Sequence, residues 1–531
     1  MAFDFLRRIT ERVVRQWKRG ELNKKFVELA KDHVASIEKN IQDEKKILEL
    51  ENQVRLLKAE KSRPEFKKKK KIKSVNTDEL KDKKESSDKP VKKVAIDNRV
   101  TLELDPSELP SDVIKNGTRT VVIKDIKLEK NITEYKIQRY WSPGLNKGFE
   151  ASIDGYDGSS IGSSLRAFIN HLYYAGRVPQ DKIRLILDDL GLSLSRASLC
   201  GVVNQQPNYL HEELVAARDC GITKDRLIHL DETGHKLGRD NLHTFGSSNR
   251  FFTYLRTFAS KSRLCAMKSV LINDSFIFDA KAYKRVAKRF KNVMQLTNLR
   301  SLIGSAVLSQ KSLESLLDRF DFSQRMRSSV LEQALLSAFD RGLQGSRFKH
   351  LIVDDAPNLN WWRRTQLCWV HEIRKYKLLD LSSHTSAIDE LVEYWRDFYH
   401  RLRRYRDNPD EKLKFFLLSR FDSICGLDTG LRSVNEQLAR TLKNKQRLLH
   451  VLNSPEVVLD NNQIERDLRE KVIKRKVSLF NRSWEGVRAW DLMLSLMSTC
   501  RKNGVSFYKY LVDRYSDAGE IKYLGQIITS N

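Results

Sequence analysis

Three carboxylates stand at places where their type and setting suit phosphate chemistry: Asp231, Asp354 and Glu465. Asp231 follows Leu227-Ile228-His229-Leu230, an apolar run that reads as a buried strand ending on the acid, with a tight turn after it at Glu232-Thr233-Gly234. Glu232 points the other way in strand geometry and is left out of the set. A second apolar run, His350-Leu351-Ile352-Val353, ends on Asp354 and Asp355. Asp354 is favoured because it comes first after the run, and Asp355, on the opposite face, is the fallback. Glu465 follows Asp460-Asn461-Asn462, which makes a helix N-terminus. On that helix Glu465, Arg469 and Val472 share a face, with Arg466, Lys471, Lys474, Arg475 and Lys476 around it.

An acid at a strand end is by itself usually a turn former or a cap. The order strand-Asp, strand-Asp, helix-Glu amid cations makes sense as a shared metal site beside a phosphate backbone. Cleaving a phosphodiester with water or a 3′-hydroxyl requires a deprotonated attacking oxygen and a neutralised leaving oxygen. Two Mg²⁺ ions about 3.5–4 Å apart supply both. Mg²⁺ takes hard oxygen ligands, which explains carboxylates in place of His or Cys; Mn²⁺ is the alternative ion.

Composition supports an anionic partner. The 531 residues carry 97 Lys+Arg against 69 Asp+Glu, a net charge of +28, which favours nucleic acid through counterion release. Hydrophobic residues make up 40%, enough for a sizeable core and against wholesale disorder. Six cysteines include no C-x-x-C pair, so no disulfide framework is indicated and a reducing, cytoplasmic setting fits. Cys368-x-x-His371 offers two zinc ligands where a site needs three or four, so it reads either as part of a metal site or as a packed helix start. No apolar stretch is long enough to span a membrane.

The elements that position the acids come in order. Residues 1–62 read as an amphipathic helix (Phe5, Ile9, Val13, Trp17) followed by a coiled coil with its seam at Ile47, Leu50, Val54 and Leu57, a dimerisation segment. Residues 63–98, with the lysine run from Lys67 to Lys71, read as a basic disordered linker. Residues 99–150 read as a small β module, with strand patterns at Val100–Leu104, Thr120–Ile123 and Ile132–Trp141. Residues 151–222 turn helical. Gly191 between two helical stretches, the second opening at Ser195-Arg196, suggests a helix-turn-helix with Arg196 as a DNA contact. Residues 223–511 form the core, with helical insertions near 280–345 and 366–450, and 512–531 a C-terminal tail. The class is multidomain α+β. A strand ending in Asp followed by two antiparallel strands is how a ribonuclease-H-like α/β catalytic core begins.

The motifs around the acids resemble the DDE transposases of the insertion-sequence-66 type. They are Leu230-Asp231-Glu232-Thr233-Gly234, Val353-Asp354-Asp355-Ala356-Pro357, Leu367-Cys368-Trp369-Val370-His371-Glu372-Ile373-Arg374 and Asp460-Asn461-Asn462-Gln463-Ile464-Glu465-Arg466. The likeness continues through Arg475-Lys476, Ser483-Trp484-Glu485-Gly486 and Thr499 to Gly504 as far as Tyr510-Leu511. The resemblance implies a bacterial transposase with catalytic and metal-binding Asp231, Asp354 and Glu465. It implies Mg²⁺-dependent cleavage and strand transfer of double-stranded DNA at terminal inverted repeats. Arg196, Arg466, Arg469, Lys474, Arg475 and Lys476 are the expected DNA contacts, the coiled coil implies a homo-oligomer, and small companion proteins of the same element are implied partners. Three features depart from the pattern. The β module holds no cysteine where many members carry a zinc finger, the stretch from Asp231 to Asp354 is long, and the second acid is a pair, Asp354 and Asp355. A non-catalytic DNA-binding or architectural protein, or another ribonuclease-H-fold nuclease, are the competing readings.

Overall fold

A computed structural model describes residues 99–102, 120–153, 158–271, 274–342, 348–380 and 386–530. The expected coiled coil and basic linker lie outside the described residues. Residues 1–120 and 121–531 form separate units. The described chain is mostly helical with one mixed sheet. None of its described helices is long and apolar enough to cross a membrane.

Among the described residues of the expected β module, one hairpin forms. Strand β1 (Arg139–Ser142) pairs antiparallel with β2 (Lys147–Glu150). Residues 120–138 hold no strand and are exposed. Among the described residues no strand lies beside the alternation at Val121 and Ile123.

The helical region begins with α1 (Ser163–Asn170), prolonged by a π-helical turn at His171–Ala175. Helices α2 (Gln180–Asp189) and α3 (Arg196–Asn204) follow, then α4 (Asn208–Asp225). The glycine turn between α2 and α3 forms as expected: Gly191 sits at φ 72°, where a side chain would be strained. Ser195 caps α3, its Oγ accepting from Ser198 N at 3.0 Å.

The central sheet has five strands. Strands β3 (Leu227–Leu237), β4 (Asp240–Ser248) and β5 (Thr253–Phe258) form the expected antiparallel meander. The tight turn expected after Asp231 is absent. The strand runs on to Leu237, because every residue from Asp231 onward pairs with β4, and the chain reverses at Gly238 (φ 56°). After β5 come α5 (Arg263–Leu271), the two-residue strands β6 (Ser275–Phe276) and β7 (Leu308–Ser309), and helices α6 (Ala280–Ala287), α7 (Val293–Arg300), α8 (Gln310–Leu317) and α9 (Gln324–Gly342). This is the expected first helical insertion. Strand β8 (His350–Val353) then returns beside β3, parallel to it, and β9 (Thr365–Leu367) joins β8, also parallel. The sheet order is β5-β4-β3-β8-β9.

Strand β9 lies where the second insertion is expected to begin, near 366. Its central Gln366 is fully buried. Its amide nitrogen donates to Leu448 O at 3.0 Å and its oxygen accepts from Val451 N at 3.0 Å. The inserted helices are α10 (Trp369–Asp380), α11 (Ser386–Asp407), α12 (Glu411–Cys425), α13 (Arg432–Lys443) and α14 (Lys445–Leu448). The chain closes with α15 (Asn462–Ser478), α16 (Trp484–Lys502), α17 (Phe507–Ser516) and α18 (Leu524–Ser530). The last of these is anchored: Leu524 and Ile528 are fully buried and Lys224 Nζ donates to Ile528 O.

Two devices hold helices against this sheet. Helix α16 covers the open edge of β5. Thr253, Leu255 and Thr257 donate their outward N–H groups to Thr499 Oγ1 (3.1 Å), Ser495 Oγ (2.9 Å) and Asp491 Oδ2 (2.7 Å). Two strand residues advance about 6.8 Å and four helix residues about 6 Å, so side chains at i, i+4 and i+8 meet alternate edge amides. An exposed edge invites foreign pairing, and this one is closed. Helix α15 lies over the middle strands at Gly246, which pairs with Asp231. A Cβ on Gly246 would meet Ile464 Cδ1 at 2.8 Å and Leu468 Cδ2 at 3.0 Å, both on α15. The missing side chain lets that helix approach the face on which Asp231 lies.

Gly246→Val is therefore expected to destabilise the fold by about 1–3 kcal/mol through overpacking. Urea denaturation measures it; a stability equal to wild type would contradict the close approach of α15.

Candidate metal centre

The register of the parallel strands decides which acids meet. His229 pairs with Ile352, so two residues further on Asp231 comes level with Asp354, on strands about 4.8 Å apart. Residues level on paired strands share a face, and Glu465 enters over that face in the first turn of α15. The three charges interact. Burial first, then the negative charge of Asp354, with Glu465 adding to it, pushes the Asp231 carboxyl up to about 7.

A fourth group joins them. His371 Nδ1 lies 3.0 Å from Asp354 Oδ1, 3.7 Å from Glu465 Oε1 and 3.2 Å from Cys368 Sγ. Contact with Asp354 and with Cys368 raises its imidazole to about 10. Asp354 Oδ1 and Glu465 Oε1 are nonetheless buried oxygens that accept no aligned hydrogen bond. Buried carboxylate oxygens left in that condition are unusual. Together with the mutual repulsion at Asp231, they fit a divalent cation held by the three acids.

The neighbouring acids are occupied elsewhere. Asp355 Oδ2 accepts from Lys375 Nζ at 3.1 Å and Asn444 Nδ2 at 2.8 Å, which ties β8 to α10 and α13 and leaves Asp354 as the acid that faces Asp231. Glu232 lies on the opposite face, bound by Lys261 Nζ at 2.9 Å and Asn358 Nδ2 at 3.0 Å.

Glu465 is delivered by Asn461. The fully buried amide of Asn461 donates through Nδ2 to Leu230 O at 3.1 Å. Its Oδ1 must then accept from His229 Nδ1, 3.0 Å away. Burial drives His229 down to about 4, so it is the neutral ring with its proton on Nδ1. The Asn461 backbone N–H points to Cys368 Sγ at 3.3 Å. One residue thus fixes the start of α15 to β3 and to the chain entering α10.

The expected DNA contacts divide. Arg466, Arg469 and Lys476 are exposed on α15 and Arg196 on α3, where it lies 3.4 Å from Asp181. Arg475 is half-buried and donates to Gly234 O. Lys474 is a correction: it is fully buried, its Nζ donating to Tyr173 O at 2.7 Å and lying over the Tyr173 ring. Burial and nearby Arg177 lower it to about 7. Lys471 is likewise buried, paired with Asp491 and Thr257. Helix α15 packs on two sides, against the sheet and against the α1 and α16 region, so cations on its second face cannot reach a backbone phosphate.

Sequence reasoning missed Asn461 and the full part of His371. Asn461 looked like a helix start, and Cys368-x-x-His371 looked one ligand short. The third donor, Asp354, arrives from another strand: ligand atoms of Asp354, Cys368 and His371 all lie within 4.8 Å of one another.

A mixed sheet carrying two strand acids, faced by a helix glutamate, defines a candidate divalent-metal centre in a basic protein. The family model described as "Transposase IS66 family" matches residues 360–489, which include Cys368, His371 and Glu465. The uncharacterized protein y4jO of Sinorhizobium fredii (strain NBRC 101917 / NGR234) is 33% identical over 312 residues, 56% of this chain and 95% of that protein. The uncharacterized protein y4qI of the same strain is 29% identical over 150 residues, 26% of this chain and 28% of that protein. The chain belongs to the IS66 transposase family.

Asn461→Ala removes a donor to Leu230 O and an acceptor for His229, and is expected to lower stability by about 1–3 kcal/mol. Asn461→Asp keeps the acceptor for His229 but sets a second oxygen against the Leu230 carbonyl, and should lose stability as well. Denaturant midpoints measure both losses; equal midpoints for Asn461→Ala and wild type would contradict the pinning role.

Proposed function

We propose that this chain is a DDE-type DNA transposase of a bacterial insertion sequence, cutting and joining double-stranded DNA at terminal inverted repeats. The observation that carries the reading is the meeting of Asp231, Asp354 and Glu465, the last two with buried oxygens beside His371 that accept no aligned hydrogen bond. The sheet supports it: an antiparallel meander continued by two strands parallel to β3 is a ribonuclease-H-like arrangement.

Asp231, Asp354 and Glu465 would hold Mg²⁺, with Mn²⁺ able to replace it. When bound, such ions supply an activated attacking oxygen and a neutralised leaving oxygen. The chain's own groups do the positioning. Asn461 keeps Glu465 over β3, and Asp355 clamps the end of β8 to α10 and α13. Arg466, Arg469 and Lys476, exposed on the helix that carries Glu465, are set to bind backbone phosphates next to the acids. Arg475, attached to Gly234 O, supports that face. The α2–α3 helix-turn-helix, with Arg196 exposed, is the candidate reader of the element ends. A homo-oligomer built through residues 1–62, action in the bacterial cytoplasm on nucleoid DNA, and help from companion proteins of the same element complete the proposal.

On inverted-repeat DNA, Asp231→Asn, Asp354→Asn and Glu465→Gln are each expected to reduce Mg²⁺-dependent nicking by more than about 100-fold, beyond the loss of an outer-shell partner. DNA affinity should stay unchanged. Full nicking by Asp231→Asn would refute the assignment and favour an architectural DNA-binding protein. Arg466→Ala and Arg469→Ala are expected to weaken binding on every sequence, each lowering the salt slope of log K by roughly 0.9 per phosphate lost. An unchanged slope would remove them from the interface.

A further inference from the structure

The carboxylate centre has a soft edge. Three donors gather there: His371 Nδ1 lies 3.2 Å from Cys368 Sγ and 3.0 Å from Asp354 Oδ1, and the ligand atoms of all three lie within 4.8 Å of one another, while Glu465 Oε1, 3.7 Å from Nδ1, is not of that group. At zinc–sulfur, zinc–nitrogen and zinc–oxygen bond lengths, tetrahedral angles put neighbouring donor atoms about 3.3–3.6 Å apart. The observed separations lie within a few tenths of an ångström of that range. We propose that Cys368, His371 and Asp354 form a Zn²⁺ site with its fourth position open, which takes Asp354 away from the oxygen-only centre, so that Zn²⁺ excludes Mg²⁺ from it.

The surroundings of Cys368 suit a metal-bound thiolate. It stands directly before α10, where the helix dipole favours a negative sulfur. The backbone N–H of Asn461 points at Sγ from 3.3 Å, an outer contact of the kind that orients and tunes ligands. Cys368 is buried, while Asp354 and His371 are partly exposed, so an ion has a way in. Thiolate and imidazole match zinc and suit Mg²⁺ poorly. One contact opposes the site: Arg374 Nη1 lies 3.2 Å from His371 Nε2. With a metal on Nδ1 the ring proton sits on Nε2, and the exposed Arg374 side chain must turn to solvent. Asp231 is not part of the donor set.

Co²⁺ is the probe, titrated into the full-length chain under reducing conditions without DNA and followed by absorption. Wild type is expected to show a thiolate-to-cobalt charge-transfer band that Zn²⁺ abolishes and Mg²⁺ does not. Cys368→Ser should lose the band. His371→Gln should need at least about 10-fold more Co²⁺ to reach it, the scale of a lost metal contact. Asp231→Asn should keep it, and Arg374→Gln should reach it at lower Co²⁺. No band in wild type, or a band that survives Cys368→Ser, overturns the proposal. The readout involves neither DNA nor cleavage, so it stands or falls separately from the transposase reading.

Discussion

The geometry of the centre depends on one buried amide. Asn461 shares its side chain between the carbonyl of Leu230 and the ring of His229, and its backbone N–H goes to Cys368. These are the residues next to, or two away from, Asp231 on the strand, and the residue that opens α10. Removing the amide strands a buried acceptor and a buried donor together, and leaving such groups unsatisfied is more destabilising than the bonds are individually stabilising. The contact therefore does more than start a helix. It sets the distance between a strand acid and a helix acid that are far apart in the chain.

Close packing makes the same distance rigid. Gly246 lacks the side chain that would hold α15 off the sheet, and Ile464 and Leu468 fill its place on either side of Glu465 in the helix sequence. On the far side of α15, Lys471 and Lys474 are buried without loss of satisfaction. One meets Asp491 and Thr257, the other a carbonyl and the Tyr173 ring. Asp491 also takes an edge amide of β5, so a single carboxylate links α15, α16 and the sheet edge. A buried charge kept in this way is expensive to unpair, which argues that these lysines fix α15 in place and that DNA contact falls to Arg466, Arg469 and Lys476.

Much of this was legible in the sequence because its cues are local. Asp231 and Asp354 each follow an apolar run, Glu465 follows a polar helix start, and the meander, the inserted helices and the Gly191 turn announced themselves by period and punctuation. What stayed hidden depends on partners distant in the chain. Strand β9 is three residues long with a glutamine in its middle, and only its bonds to Leu448 and Val451 make that residue a core residue. The strand through Asp231 seemed to stop on that acid because its continuation is satisfied by β4 and not by its own apolar content. Lys474 was taken for a surface cation because nothing in its helix reveals the aromatic ring that covers it. The alternation at 120–123 has a strand's period but, among the described residues, no strand beside it.

We infer that Asp231, Asp354 and Glu465 together bind a divalent ion. Electron paramagnetic resonance of Mn²⁺ titrated into the full chain without DNA tests it most directly, since bound and free ion are counted separately. The account predicts binding by wild type that each of Asp231→Asn, Asp354→Asn and Glu465→Gln strongly weakens, while Asp355→Asn, whose carboxylate is held by Lys375 and Asn444, leaves it in place. Undiminished Mn²⁺ binding in the first three variants, or its loss only in Asp355→Asn, would contradict it.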